Sequence, residues 1–208
     1  MAELLNVLAV VGSLNRDSVT RVVVHHVADG LRSAGCLVDV LDFIKEPLAL
    51  YNPDEAHDLP GYADLKIRVE RADVVLLGTP DYHGSISAAM KNFLDHFWKE
   101  FAGKLFATIV ASHEKGLTVT DQLRTVARQC YAWTLPYGVS FTEDKDVKEG
   151  QIINEAFKRR LEMLIRDMRV YGAVLSEQRR ADLTGTEPCF LERHRRIGAQ
   201  SSSSARSS

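Results

Sequence analysis

The 208-residue chain has few of the features that mark specialised classes of protein. Its cysteines, Cys36, Cys130 and Cys189, lie far apart and form no CxxC pair, which argues against a disulfide framework or a zinc knuckle. Twenty-six basic residues nearly balance 28 acidic ones, so the net charge of -2 favours neither nucleic acid nor an anionic membrane as partner. The N-terminal apolar run at 7–11 is too short for a membrane span and lacks a positively charged leader. We therefore expect a soluble, reduced, cytoplasmic protein.

Apolar residues recur along the chain with two alternating periods. Short continuous apolar runs, typical of strands that are covered on both faces, alternate with stretches whose apolar residues lie three and four apart, as in helices. This pattern predicts strands at 4–11, 37–41, 74–77, 105–111 and 135–141. It predicts helices at 20–34, 63–71, 86–97, 118–131 and 152–171.

The alternation of five strands with helices predicts an α/β fold, with a parallel sheet and helices on both faces. Right-handed crossovers make such a sheet doubly wound, and five units favour the flavodoxin-like strand order 2-1-3-4-5 over a six-stranded dinucleotide fold. Because the pattern fades after Tyr171, we expect one domain over 1–172 and a mostly disordered tail over 173–208. The alternative for the tail is an arm that crosses to a partner subunit and is anchored by residues 188–191.

Ligands of such sheets bind beyond the carboxyl ends of the strands. The loop after the first strand, GSLNRDSVT, carries the hydroxyls of Ser13, Ser18 and Thr20 and the guanidinium of Arg16, and it leads into a helix start whose N–H groups are free. This combination suits a phosphate. The GxxxxGK[ST] and GxGxxG patterns are absent, so a dinucleotide pyrophosphate is less natural here. On this loop alone, a helix capped by Ser18 beside a surface arginine is an equally good explanation.

The loop after the third strand, GTPDYHGS, has the composition of a rigid and exposed turn. Pro80 and Gly84 restrict its backbone, and Tyr82 supplies a flat face. Its backbone N–H groups could bond to the edge of a planar heteroaromatic ring. The alternative is a plain strand-to-helix connection capped by Ser85.

The loop after the fourth strand, ASHEKG, has small and polar residues that would let the far side of a ring approach. His113 is either a general base or a residue that caps the next helix. His113 and Glu114 do not form an HExxH pattern, so we expect no metal site. No GxSxG elbow follows any predicted strand, which argues against a hydrolase.

Together, the three loops resemble the NAD(P)H-dependent FMN reductase family. The family pattern is approximately GSLRxxSxxR in the first loop, where this chain has GSLNRDSVTR. In the second it is approximately TPEYxGSxxxxLKNxLD, here TPDYHGSISAAMKNFLD, and in the third ASxxGxxxxxxQLR, here ASHEKGLTVTDQLR. Asn15, Asp81 and His83 stand where the family usually has Arg, Glu and Asn. The resemblance extends over roughly residues 5–172.

The resemblance implies that FMN binds non-covalently at these loops. The first loop would hold its phosphate, the second would line its ring, and the third would close the far side of the ring. The candidate cofactor-binding residues are Ser13, Asn15, Arg16, Ser18, Val19, Thr20, Pro80, Asp81, Tyr82, His83, Gly84, Ser85, Ser112, His113 and Gly116. We expect no side chain to act as a catalytic acid, base or nucleophile.

The family also implies an activity. Hydride would pass from NADPH or NADH to FMN and then to a flavin, quinone, azo or metal-oxyanion acceptor by a ping-pong mechanism. A homodimer or homotetramer is expected, because family members commonly place their flavin sites near subunit interfaces. Two alternatives stay open: an FMN-binding electron-transfer module of the flavodoxin type without NAD(P)H activity, and a flavin-free protein that kept the fold.

Overall fold

The computed structural model describes residues 4–195. A mostly parallel sheet lies at its centre, with helices on both faces. The elements in chain order are β1 (Asn6–Val11), α1 (Val19–Ser33), β2 (Leu37–Asp42), α2 (Tyr62–Arg71), β3 (Val74–Tyr82), β4 (Ser85–Ile86), α3 (Ala88–Asp95), β5 (Leu105–Ala111), α4 (Leu117–Gln129), β6 (Trp133–Thr134), β7 (Val139–Phe141), β8 (Val147–Lys148), β9 (Gln151–Ile152) and α5 (Glu155–Thr184).

The order of the main sheet is β2-β1-β3-β5-β6, and these strands pair in parallel. The predicted flavodoxin-like fold class is confirmed. The numbering differs from the predicted order because β4 is a short antiparallel addition to β3, and because β6 and β7 together take the place of the fifth strand.

Each face of the sheet carries its own hydrophobic core. Successive residues of a strand point to opposite faces, so the aliphatic runs of β1 and β3 supply both cores. The apolar sides of α1 and α5 cover one face, including Val24, Val27, Leu161 and Leu164. The other face is covered by α2, α3 and α4, where aromatic side chains such as Phe93 predominate.

The backbones of β1 and β3 approach closely at the point where β1 ends. Their parallel register closes with the pair Val11 and Gly78, and the N–H of Gly12 then donates to the carbonyl of Gly78 at 2.7 Å. A strand end at Leu77 is wrong, because β3 continues through Gly78 to Tyr82. Gly78 does not end the strand. Its missing side chain leaves room for α1, whose Val24 packs directly against it.

The predicted fifth strand at 135–141 is also wrong in detail. Two short strands, β6 and β7, pair with β5 on either side of residues 135–138. Pro136 has no N–H to donate to a sheet ladder. Gly138 packs so closely that an added Cβ would lie 2.6 Å from Oγ1 of Thr108, and a regular strand is therefore interrupted here.

The last helix is longer than the predicted span of 152–171. Helix α5 continues to Thr184, so the expected boundary at 172 falls inside it and residues 173–184 are helical. Gly172 and Ser176 are buried on its inner side, and beyond the helix Leu191 is only 1% exposed. The rest of the expected tail, 196–208, lies outside the described residues. Within residues 4–195, no helix combines the length and apolar character needed to cross a bilayer.

The close packing at Gly78 predicts that Gly78→Ala lowers the free energy of unfolding by about 1–3 kcal/mol. The new Cβ would lie 2.2 Å from Cγ2 of Val24, a β-branched side chain with little freedom to rotate. Urea unfolding at constant temperature measures the effect.

Gly30→Ala is the matched control for this prediction. Its Cβ would meet only the far end of Ile165, at 2.4 Å from Cδ1, and alanine favours the interior of α1. We therefore expect a clearly smaller loss than at Gly78. Equal losses in the two variants would contradict the packing argument.

Candidate functional site

A cleft opens at the carboxyl end of the sheet, where the chain winds outward from β1 in one direction and from β3 in the other. Beyond Gly78, β3 continues without β1 at its side, and its last residues pair only with β5 and β4. Such switch points are the usual ligand sites of open α/β sheets. The three predicted loops meet around this cleft. The residues that line its inner half are Ser13, Asn15, Asp17, Ser18, Val19, Thr20, Pro80, Asp81, Tyr82, Ala111, Ser112, His113 and Glu143.

The first loop supplies hydroxyl groups to the inner half of the cleft. Ser13, Ser18 and Thr20 are all largely buried. The Ser18 hydroxyl caps α1 by accepting from the N–H of Arg21 at 3.3 Å, and the Ser13 hydroxyl accepts from the N–H of Asn15 at 3.3 Å. Both hydroxyls use only lone pairs in these bonds, so their protons are available to a ligand. The N–H groups of the first turn of α1 have no partner within the helix.

Arg21 holds the first loop in shape, a role that the sequence did not reveal. Its guanidinium donates to the backbone carbonyls of Asn15 at 2.7 Å, Arg16 at 2.9 Å and Ser13 at 3.2 Å. Its Nε donates to the carboxylate of Asp42 at the end of β2, at 2.7 Å. One side chain therefore ties the first loop to the neighbouring strand β2. The final Arg of the GSLNRDSVTR motif was the available signal.

The carboxylate of Asp42 is buried, and its environment favours the ionised form. Burial alone would raise its pKa, but hydrogen bonds from Arg21 and from the N–H of Ile44 outweigh that effect and lower the pKa below its usual value. The ion pair is therefore a structural element that persists at neutral pH.

Arg16 does not line the cleft in this structure. It is exposed on the loop, and its backbone carbonyl accepts from Arg21. Among residues 4–195, no lysine or arginine lines the inner half of the cleft, whereas the unpredicted acids Asp17 and Glu143 do. An anion here would be held by hydroxyl and N–H donors together with the positive end of the α1 dipole.

The second loop is a tight hairpin between β3 and β4. Tyr82 pairs with Ser85, and the two residues between them, His83 and Gly84, have φ angles of 59° and 76°. Two successive positive φ angles are the mark of a type I′ turn. The Tyr82 ring, 51% exposed, stands beside the cleft. The Ser85 side chain turns away from the cleft, because its hydroxyl donates to Gln122 on α4.

The third loop joins the second through Asp81, whose carboxylate accepts one hydrogen bond from each loop. One carboxylate oxygen accepts from the N–H of Gly84 and the other from the hydroxyl of Ser112, both at 2.8 Å. The outer half of the cleft shares Asp81, Ser112 and His113 with the inner half. Its other lining residues are His83, Gly84, Glu114, Lys115, Gly116, Leu117 and Thr118. Apart from Arg16 and Ser85, the predicted site residues thus line one continuous cleft.

Comparison with known proteins identifies the family of this chain. A family model described as NADPH-dependent FMN reductase matches residues 5–146. The chain belongs to the NADPH-dependent FMN reductase family. As a member it is an oxidoreductase with FMN and NAD(P)H as its cofactors.

Curated members of this family include azoreductases. An NADPH azoreductase of Bacillus sp. (strain OY1-2) is 30% identical over 162 residues, covering 76% of this chain and 87% of that protein. An FMN-dependent NADPH-azoreductase of Staphylococcus aureus is 24% identical over 152 residues, with coverages of 69% and 80%.

Solved structures share the fold of the reductase family. The NADH:FMN oxidoreductase EMOB superposes with a TM-score of 0.68 at 16% identity, over 80% of this chain and 89% of that one. The NAD(P)H:acceptor oxidoreductase FerB of Paracoccus denitrificans has a TM-score of 0.62 at 20% identity, with coverages of 84% and 98%. At these identities the likeness establishes the fold alone.

The donor set of the cleft fits the cofactor of the reductase family. Hydroxyl and helix N-terminal N–H groups are concentrated in the inner half, where they suit the FMN phosphate. An exposed aromatic side chain and two short loops border the space beside it, which suits a planar ring.

The Arg21–Asp42 pair predicts a pH effect on the stability of this reductase. The folded-state pKa of Asp42 lies below its ordinary value of 3.8. The stabilisation from its ionised form is therefore complete above that value and is lost as the pH falls through the lower, folded pKa. We expect Asp42→Asn to be less stable than wild type at neutral pH, with the gap closing below about pH 4.

Urea unfolding at a series of pH values checks this expectation. Asp29→Asn is the control, because that exposed carboxylate makes only a surface pair with Arg32. The difference in unfolding free energy between Asp29→Asn and the wild type should stay constant as the pH changes. A constant gap between Asp42→Asn and wild type across the acidic range would contradict the assignment.

Proposed function

We propose that this chain transfers reducing equivalents from NADPH or NADH to a small-molecule acceptor by a ping-pong mechanism, with FMN held in the cleft between the three loops. The observation that supports this best is the arrangement of the cleft, in which phosphate donors and a ring-sized space lie side by side at the β1–β3 switch point. When bound, FMN would supply the redox chemistry, namely hydride and electron transfer.

The first loop binds and orients the phosphate end of the cofactor. Ser13, Ser18 and Thr20 donate hydroxyl protons, and the start of α1 contributes N–H groups and a favourable dipole. Because Arg21 fixes three carbonyls of this loop, the donors are in position before the ligand arrives. Such preorganisation reduces the entropic cost of binding.

The second and third loops border the ring. Tyr82 and the turn at His83–Gly84 form one wall, and Ser112, His113 and Gly116 form the other. Asp81 has no role as an acid or base in this proposal, since both of its oxygens already accept hydrogen bonds from the loops. The side chains orient the ring and leave the chemistry to the cofactor.

The names of the relatives indicate which acceptor should be tested first. Two curated relatives are named as azoreductases, which makes an azo compound the first acceptor to test, followed by quinones, free flavin and metal oxyanions. Exposed apolar side chains near the loops, such as Leu14 and Tyr82, suit a homodimer or homotetramer with the flavin sites near its interface. We place the enzyme in the cytoplasm, where its nicotinamide donors are found.

The absorption spectrum of the FMN-reconstituted protein tests the proposal. We expect bound flavin, bleaching of its absorbance by NADPH or NADH without oxygen, and recovery of the absorbance on addition of an azo dye or quinone. Steady-state rates should give parallel double-reciprocal lines. A protein that binds FMN but is not reduced by either nucleotide would be an electron carrier of the flavodoxin type, and one that binds no flavin would contradict both functions.

Thr20→Val tests the phosphate half of the cleft separately. Valine keeps the shape of this buried residue and removes its hydroxyl, so FMN affinity should fall about tenfold, in line with one charge-assisted hydrogen bond. Riboflavin, which has no phosphate, should bind both proteins equally. Thr125→Val, on the exposed side of α4, is the control. An equal loss for the two flavins would place the phosphate elsewhere.

A further inference from the structure

The hairpin that borders the flavin ring has little to hold it in place by itself. Strand β4 consists of two residues, and its pairing with β3 extends over only Asp81–Ile86 and Tyr82–Ser85. The turn also places the non-glycine residue His83 at a positive φ, which L-amino acids adopt at a cost. Isolated two-stranded hairpins of this kind are marginally stable in water. Contacts from outside must therefore fix the shape of this loop.

Gln122 on α4 provides the most extensive of these contacts. Its Oε1 accepts from the hydroxyl of Ser85 and from the N–H of Ile86, both at 3.1 Å. Its Nε2 donates to the carbonyl of Gly84 at 3.4 Å. One amide side chain thus satisfies donors and an acceptor on three consecutive residues of the hairpin. Thr118, one turn earlier on the same face of α4, lies beside Gly84 and adds a second contact between the helix and the turn.

Gln122 lines neither half of the cleft, so any effect on the flavin must pass through the hairpin. We propose that Gln122 is a positioning residue that holds the His83–Gly84 turn in the conformation in which the flavin ring binds. The inference rests on the proposed function, because it assumes that this turn borders the ring. It also links the second and third loops, since α4 begins directly after the third.

The chemistry of the contacts requires an amide. Glutamate at this position would keep the two acceptor contacts but could not donate to the Gly84 carbonyl, and would set a negative charge against it. Methionine would keep the length and flexibility of the side chain without either function. The series Gln, Glu, Met therefore removes the contacts stepwise at nearly constant volume.

Hydrogen exchange of the apoprotein, followed by NMR, tests without any flavin whether the hydrogen bonds of Gln122 hold the hairpin; we call these bonds the clamp. In Gln122→Met the amide of Ile86 loses its acceptor, and its exchange should accelerate about tenfold, with Gln122→Glu close to wild type at this amide. Gln129→Met, an exposed glutamine at the end of the same helix, is the control and should leave Ile86 unchanged. Unchanged exchange in Gln122→Met would overturn the clamp.

Flavin binding then tests the positioning role. We expect Gln122→Met to weaken FMN affinity about tenfold and to shift the midpoint potential of the bound flavin, with Gln122→Glu intermediate and Gln129→Met unchanged. If exchange at Ile86 is faster in Gln122→Met but FMN affinity and the flavin midpoint potential are unchanged, Gln122 does not position the turn for the flavin. Failure of the wild type to bind FMN would instead count against the proposed function, and the exchange experiment would still judge the clamp. If Gln122→Met does not fold, Gln122→Glu carries the test through its loss of the Gly84 contact.

Discussion

The close approach of β1 and β3 at two glycines determines how the rest of the site is built. The N–H of Gly12 reaches the carbonyl of Gly78, and a Cβ on Gly12 would lie 2.9 Å from that same oxygen. Pairing of β1 with β3 ends there, while β3 continues for several residues with only β5 and β4 at its side. The absence of a side chain on Gly78 lets α1 pack directly against β3. The gap that results beside β3 is the space in which the three loops that line the cleft converge.

The electrostatics of the cleft depend on how the fold uses Arg21. Arg21 is occupied by three loop carbonyls and by the buried Asp42, so its charge organises the loop and leaves the binding of the anion to other groups. Asp17 and Glu143 add negative charge nearby. An anion bound in this cleft would then depend on oriented N–H and hydroxyl groups at the start of α1, which act over short distances and in a fixed direction.

Hydrogen bonds also connect the first loop to the segment that carries the β3–β4 hairpin. Ser87, the cap of α3, donates its hydroxyl proton to the carbonyl of Gly12 and its N–H to the hydroxyl of Thr79. Asp81 connects the hairpin to Ser112, and Gln122 holds it against α4. These bonds come from segments far apart in the chain. The tip of the hairpin, His83 and Gly84, is exposed, but these bonds tie it to the folded core, which suits a site that must hold a planar cofactor in one orientation.

The sequence by itself determined the fold class, the place of the three loops and the family. Apolar periodicity records which residues face the core, and the spacing of Gly, Ser and Pro residues records where strands give way to helices. These are local properties of the chain. They also predicted thirteen of the fifteen candidate residues at positions that line the cleft, all but Arg16 and Ser85.

Only the tertiary structure decided the rest. The direction of Arg21 depends on Asp42, 21 residues away, and the role of Gln122 depends on Ile86, 36 residues away. Beyond residue 172, α5 is held by contacts such as those of Ser176 with Asp73 and Arg179 with Ala102. The break between β6 and β7 depends on the contact of Gly138 with Thr108. Each of these features arises from contacts between distant parts of the chain, which a local pattern of residues does not contain.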